Sequence, residues 1–277
     1  MRPLKDREVG VMFWAGRDTL AEMRSLGVRC GQLGIPGDLK LSRDMAAEWK
    51  SALEEADFPI VTVFAAYHGE NYADVPTVQR TVGFIPRETR TVREHRSYDV
   101  IDFAAAIGAP SFACHIGFVP EDTTHPDYMD VLEMVRRVAD YAARHKQTFA
   151  LETGQEPAHV LQHFLKDTGR ANVGINFDPA NMILYGTGDP IEALGVLAPH
   201  VLSVHAKDGD WPPRDEPDAL GVERPLGQGV VGIPRFVEKL KAIGFRGSLN
   251  IEREAENQAE RIADIRKAVV YLNSLIP

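Results

Sequence analysis

Residues 148–206 read TFALETGQEPAHVLQHFLKDTGRANVGINFDPANMILYGTGDPIEALGVLAPHVLSVHA. Three short apolar runs in this stretch, residues 148–152, 173–177 and 201–206, predict strands. The longer segments between them, 156–167 and 190–197, carry apolar residues at helical spacing. Gly169 stands where a left-handed helix cap is wanted, and Pro190 suits a first helical turn. Strands and helices in strict alternation call for a parallel sheet wrapped by helices, because parallel strands need long crossover connections.

The alternation continues outward in both directions. Upstream, residues 9–14, 28–33, 60–65 and 111–116 read as strands, and 18–26, 42–56, 87–107 and 127–146 as helices. Downstream, 234–243 reads as a helix, 248–252 as a strand and 257–275 as a closing helix, whose Ile262, Ile265, Val269, Leu272 and Ile276 make one apolar stripe. Ser42 is placed to cap its helix, Pro234 to start one, and Gly27, Gly108 and Gly244 to end theirs. Eight β-then-α units in 277 residues predict an α/β fold: one (β/α)8 TIM barrel of parallel strands, with residues 1–277 as a single domain. Two loops, 66–86 and 207–232, are longer than the usual βα connection. Both follow strand C-termini, the face on which barrel enzymes place their chemistry. The first carries His68, Glu70, Asn71 and Tyr72 and is expected to act as a partial lid.

Composition narrows the partners. Charged residues make up 26% and the apolar set 44%, as in ordinary globular chains, and the formal net charge is −9. An acidic protein is repelled by polyanions, so neither nucleic acid nor an acidic membrane is an expected partner. The first eight residues lack the apolar core of a signal peptide, and no apolar run approaches a membrane span. With only Cys30 and Cys114, both inside expected strands, the natural compartment is a reducing cytoplasm and the thiols read as packing residues. A homo-oligomer is left open.

Four residues carry the chemistry. Glu152, Asp178, His205 and Glu252 end four successive expected strands, which a closed barrel brings to one rim. Any one of them alone is explained by a helix cap or a surface ion pair. Four in register make a metal-ligand set of three oxygens and one nitrogen. Carboxylates favour Mg and Mn while imidazole draws transition metals, so one Mn(II) is the best compromise, with Co(II), Mg or Zn as alternatives.

The segments around these residues, Phe149-Ala150-Leu151-Glu152, Asn176-Phe177-Asp178-Pro179-Ala180-Asn181, Val204-His205-Ala206-Lys207-Asp208, Leu226-Gly227-Gln228-Gly229 and Asn250-Ile251-Glu252-Arg253, resemble the xylose-isomerase-like sugar phosphate isomerase/epimerase superfamily. The resemblance spans nearly the whole chain. It implies that Glu152, Asp178, His205 and Glu252 hold the metal, as in the ketose 3-epimerases of that superfamily. It also implies that Glu152 and Glu252 face opposite sides of a bound sugar as an acid/base pair. The expected activity is isomerisation or epimerisation of a sugar or sugar derivative through an enediolate. A dehydratase or lyase on a keto-inositol or keto-glycoside shares the first proton abstraction. A non-catalytic sugar-binding barrel is disfavoured by four intact ligand positions.

The chain departs from the epimerases at several substrate contacts. Asn181 stands where they carry a histidine, Trp211 where they carry an arginine, and Ala158 where they carry a glutamate, although Glu156 is near. These changes put a free ketohexose in doubt. His68 and His115 match histidines that help bind zinc in the AP endonuclease branch, but no histidine follows His205 and Asp218-Ala219-Leu220 replaces that branch's aspartate–x–histidine. An endonuclease-type phosphodiesterase is therefore disfavoured, and His68 and His115 are expected to hydrogen-bond substrate hydroxyls. Asn181, Lys207, Arg253 and Trp14 complete the candidate substrate contacts, with Lys207 and Arg253 suited to a phosphate or carboxylate. Phe13, Tyr67 and Trp211 are weaker candidates for pocket walls. Gly227-Gln228-Gly229 is a weak candidate anion cradle.

Overall fold

In a computed structural model the chain closes into a ring of eight parallel strands, and residues 3–216 and 218–276 are described. Met1, Arg2, Pro217 and Pro277, which fall within the expected domain range, lie outside the described residues, as does the Pro217 part of the expected 207–232 loop. The barrel strands are β1 (Val9–Trp14), β2 (Gly31–Ile35), β3 (Ile60–Ala65), β4 (Ser111–Cys114), β5 (Thr148–Glu152), β6 (Val173–Phe177), β7 (Val201–Ala206) and β10 (Leu249–Ile251). They run around the ring in the order β1-β10-β7-β6-β5-β4-β3-β2, and β1 closes on β10 with Gly10 opposite Asn250. Eight α-helices cover the outside: α1 (Leu20–Ser25), α2 (Arg43–Ala56), α4 (Arg90–Ile107), α5 (Pro126–Arg144), α6 (Ala158–Thr168), α8 (Pro190–Leu197), α9 (Ile233–Ala242) and α10 (Gln258–Leu275).

Helix ends follow side-chain chemistry. Ser42 accepts from the Met45 N–H to start α2, and Asn257 accepts from Glu260 to start α10. Gly169 ends α6 at a φ of 60°, the left-handed region that a side chain disfavours. The expected stripe of α10 is seated as its spacing requires, with Ile265, Val269 and Leu272 buried and Ile262 and Ile276 packed at the edge.

Strand alternation divides the interior in two. Odd-numbered residues such as Val11, Val63, Leu151, Ile175 and Ile251 face the helices and join the large outer core. Met12, Phe64, Ala113 and Ala150 form a separate cluster inside the barrel, with Trp14 above it. A Cβ on Gly34 would meet the Trp14 ring at 2.4 Å, so glycine there lets the indole lie across the next strand. Between β6 and β7 the register steps from Ile175–Val201 to Asn176–Ser203. The step leaves Leu202 outside and turns Ser203 and His205 inward, as a bulge does.

Several boundaries differ from expectation. The second strand pairs from Gly31 to Ile35 instead of 28–33, because β1 begins to engage it only at Val11–Gly31. The fourth ends at Cys114, releasing His115 from the sheet. Glu152 and Phe177 end their strands as read, whereas Asp178 and Glu252 stand one residue beyond theirs. The Glu252 N–H still donates to the Ala206 carbonyl at 3.2 Å. The long loops hold structure of their own: α3 (Val75–Thr81) in the first, and an antiparallel ribbon of β8 (Asp208–Asp210) and β9 (Val222–Arg224) in the second. A further helix, α7 (Pro179–Leu184), follows β6 directly.

Candidate metal and substrate site

β5, β6, β7 and β10 are neighbours in the ring, so their C-terminal residues meet at one edge. His205 Nδ1 lies 3.0 Å from Glu152 Oε1, 3.2 Å from Glu252 Oε2 and 3.5 Å from Asp178 Oδ2. Glu152, Asp178 and His205 are buried, and the Glu252 side chain is 9% exposed. None of these approaches has hydrogen-bond geometry: Asp178 Oδ2 and both ring nitrogens of His205 are without a hydrogen bond. Glu152, Asp178 and His205 present ligand atoms within 4.8 Å of one another, a group able to hold a metal ion. Buried carboxylates crowding an unbonded imidazole nitrogen leave negative charge that a divalent cation would balance, so the donor set fits such an ion.

Local structure aims each group. Asp178 caps α7, one carboxylate oxygen accepting from the Ala180 and Asn181 N–H groups, which turns the other into the site. Below the rim, Gln32 and Ser203 both reach Asn176 Oδ1, at 2.9 and 2.5 Å. Asn176 Nδ2 then donates to Glu152 Oε2 at 2.6 Å. β2 and β6 lie on opposite sides of the ring, so the Gln32–Asn176 bond crosses the barrel interior. The Phe64 ring stacks on His205 with centroids 5.0 Å apart.

Burial raises the Glu152 pKa to about 7. Burial presses Glu252 the same way, but His205 and Lys207 outweigh it and hold this carboxyl well below its usual range. For His205, burial disfavours the cation, yet Glu252 and Glu152 override it and lift the pKa well above normal. Lys207 lies within 2.9 Å of both Glu252 Oε2 and Glu254 Oε2.

A cavity of about 290 Å³ opens over the cluster. Of the expected substrate contacts, Trp14, His115, Asn181 and Lys207 line it. His115 Nδ1 is buried without a partner, and burial depresses its pKa to about 3, so the ring stays neutral. Three expected contacts lie elsewhere. His68 is exposed and joins Asp38 at 2.5 Å on the surface. Glu156 accepts from the Val119 N–H, holding the segment after β4. Arg253 points outward to Asp264 and Glu223. Phe13 packs in the outer core against Trp49 and Phe58, Tyr67 bonds Ser97 in the interior, and Trp211 is exposed. The expected anion cradle is filled from within: the N–H groups of Gly227, Gly229, Val231 and Gly209 all donate to the Asp208 carboxylate.

The sequence reading passed over Gln32, Asn176, Ser203 and Phe64. The signal was available in part, since Asn176 and Ser203 stand two residues before Asp178 and His205 and share their strand face. Tyr72, Tyr185, Glu223 and Glu254 also line the cavity. Tyr72 and Glu254 come from loops, Tyr185 from a helix end and Glu223 from the short ribbon strand β9, positions that no periodicity reports.

Among solved structures, a xylose isomerase domain protein from Planctomyces limnophilus is 39% identical, superimposes with a TM-score of 0.94, and is matched over 98% of this chain and 97% of that one. The Escherichia coli protein YihM is 32% identical over 113 residues, and Methanocaldococcus jannaschii MJ1311 is 24% identical over 181. These matches cover 39% and 61% of this chain, and the chain spans 34% and 59% of those relatives' lengths. D-psicose 3-epimerase shares the fold at 14% identity and a TM-score of 0.71, covering 97% of this chain and 99% of that one. Mannonate dehydratase from Streptococcus suis does so at 11% and 0.69, covering 97% and 93%. The profile of the xylose isomerase-like TIM barrel matches residues 20–275, and the chain belongs to that family.

Proposed function

We propose that this protein is a divalent-metal-dependent isomerase or epimerase, acting on a sugar or sugar derivative by proton transfer next to a carbonyl. The observation that carries the reading is the convergence of Glu152 and Glu252 on His205 Nδ1, with Asp178 Oδ2 and that nitrogen buried and unbonded beside a cavity. Glu152, Asp178, His205 and Glu252 would hold the ion, with Mn(II) the best match to three carboxylates and one imidazole. When bound, the ion supplies electrophilic stabilisation of the negative charge that develops on substrate oxygens.

The residues then divide the proton work. The Lys207 ammonium, 2.9 Å from Glu252 Oε2, favours the ionised carboxylate, the form that accepts a proton. Glu152, held by the neutral amides of Asn176 and Asn181, is the second carboxylate able to give and take a proton. Asn176 and Asn181 fix the Glu152 oxygens, and the neutral ring of His115 offers a hydroxyl either a donor or an acceptor. Two carboxylates on different strands suit removal of a proton from one face and return to the other. A dehydratase differs only in the second step, where the second group assists departure of a hydroxyl.

The test is a panel of ketoses, keto-inositols and 3-keto-glycosides with Mn(II), followed by NMR in D2O. Deuterium entering one carbon locates the abstracted proton and separates epimerisation from elimination. Elemental analysis should find about one divalent ion per chain, as the one ligand cluster among the described residues requires. Full activity in excess chelator would overturn the reading.

A further inference from the structure

The charge of the cavity bears on the substrate. Among the described residues five glutamates line it, Glu70, Glu152, Glu223, Glu252 and Glu254, together with Lys207 and His205. His205 is enclosed by Glu152 and Glu252, and Glu223 is paired with Arg253 at 3.1 Å. Lys207 already donates to Glu252 at 2.9 Å, to Glu254 at 2.9 Å and to Asn181 Oδ1 at 3.4 Å. A lysine has three N–H groups, so all of them are engaged. Among the described residues no arginine lines the cavity. Arg253 is turned out to Asp264 and Glu223, and Arg93 directs its terminal nitrogens at the carbonyls of Gly83 and Thr81. The backbone N–H cradle beside the rim is filled by Asp208. Apart from the ion that the four ligands would hold, a phosphate or carboxylate on the substrate would find no cationic side chain that is not already partnered by carboxylates, and would lie beside Glu254.

The remaining wall combines acceptors with apolar surface. Carboxylates that repel anions readily accept from neutral hydroxyls. Trp14, Phe64, Leu184 and Leu220 supply apolar surface, and about 290 Å³ suits a single ring.

We propose that the substrate is an uncharged polyhydroxy carbonyl compound, a free sugar or cyclitol ring bearing neither phosphate nor carboxylate, and that Glu254 enforces this by occupying Lys207. The proposal rests on the sugar isomerase/epimerase reading above. It accounts for the lysine at the site without assigning it an anion to hold.

The experiment is calorimetric binding to the Mn(II)-loaded protein of ketopentoses, ketohexoses and keto-inositols, each as the free compound and as its phosphate ester, with ketohexuronates as a second anion. Free compounds should bind at least ~100-fold more tightly than their anionic counterparts. Glu254→Gln keeps an acceptor oxygen but removes the negative charge that holds the Lys207 ammonium, and should narrow that ratio by roughly tenfold or more. A phosphate ester or uronate that binds wild-type protein as tightly as its neutral counterpart overturns the proposal and leaves the isomerase/epimerase reading standing. An unchanged ratio in a folded, metal-replete Glu254→Gln overturns the role of Glu254. Binding of neither class to metal-replete protein overturns the isomerase/epimerase reading itself, and the substrate class with it.

Discussion

At the residue scale the two glutamates differ in their surroundings although both meet His205. Glu152 is held by Asn176 and Asn181, two neutral amides, and Glu252 by the Lys207 ammonium. Replacing either by Gln keeps an oxygen donor but removes proton exchange, so turnover should fall by roughly 10²–10⁴-fold. Each variant should still exchange deuterium into the one epimer whose proton faces the surviving glutamate, while failing to interconvert the two. Metal occupancy must be measured first, since an empty site gives the same loss. A metal-replete variant of either glutamate that turns over at the wild-type rate would reduce that residue to a ligand. His205→Ala removes the single nitrogen donor and should abolish tight metal binding, read by equilibrium dialysis. The meeting of these four side chains was legible in the sequence because each stands within one residue of a strand's C-terminal end, and parallel strands in a barrel share one rim. Lys207 follows His205 by two and shares its face, while Arg253 follows Glu252 by one and points to α10. Period-two reading would have separated them. That Lys207 is already engaged, and that Asp208 fills the glycine cradle, depends on contacts between distant loops, which sequence spacing does not record.

At the scale of elements, the barrel helices follow the expected segments closely because each buries an apolar face and most begin at a capping side chain or end at a left-handed glycine. The rim loops were harder to read. In the first, Glu70 accepts from the N–H groups of Tyr67 and Gly83, drawing its two ends together, while Tyr72 reaches the cavity. The Val75 N–H donates to the Asp218 carbonyl and joins this loop to the second one. A hydrogen bond of this kind has no signature in either segment alone. Asp208 gathers the second loop, receiving N–H groups from Gly209, Gly227, Gly229 and Val231 at 2.9–3.1 Å. Asp208→Ala should leave these donors without their acceptor and cost about 2 kcal/mol, the scale of one or two buried unsatisfied groups. Urea denaturation measures that loss, and limited proteolysis should show faster cleavage within 207–232. Substrate with metal should protect 66–86 from the same protease if that loop closes over the cavity. Equal cleavage with and without them would remove the lid.

At the scale of the whole molecule, a barrel must join its first unit to its last, and the strand pairs of β1 with β10 are only part of that closure. Asp18, in the β1–α1 connection, receives both terminal nitrogens of Arg261 on α10 at 2.7 and 2.9 Å, with both side chains buried. The same carboxylate accepts from the Trp14 N–H at 2.9 Å, so the ion pair also anchors the strand end that carries a cavity wall. No hydrophobic periodicity announces such a pair; a buried arginine on α10 reads as an exposed one until its partner is placed. Removing one member leaves the other charged and buried, so Asp18→Ala should cost about 3–5 kcal/mol, while the double change with Arg261→Met should cost less than the sum of the singles. Acid supplies an independent check. Burial raises the Asp18 pKa, but the hydrogen bonds from Arg261, Trp14 and Gln258 outweigh it and set the folded value below the ordinary one. The unfolded chain therefore takes up the proton first as pH falls. The stabilisation is complete above the unfolded pKa, near 4, and is lost as pH drops through the lower folded value. The stability gap between wild type and Asp18→Ala, measured in guanidinium chloride, should hold from pH 7 to about 5 and shrink below pH 4. A gap of constant size across that whole range would mean that the ionised carboxylate contributes nothing to closing the ring.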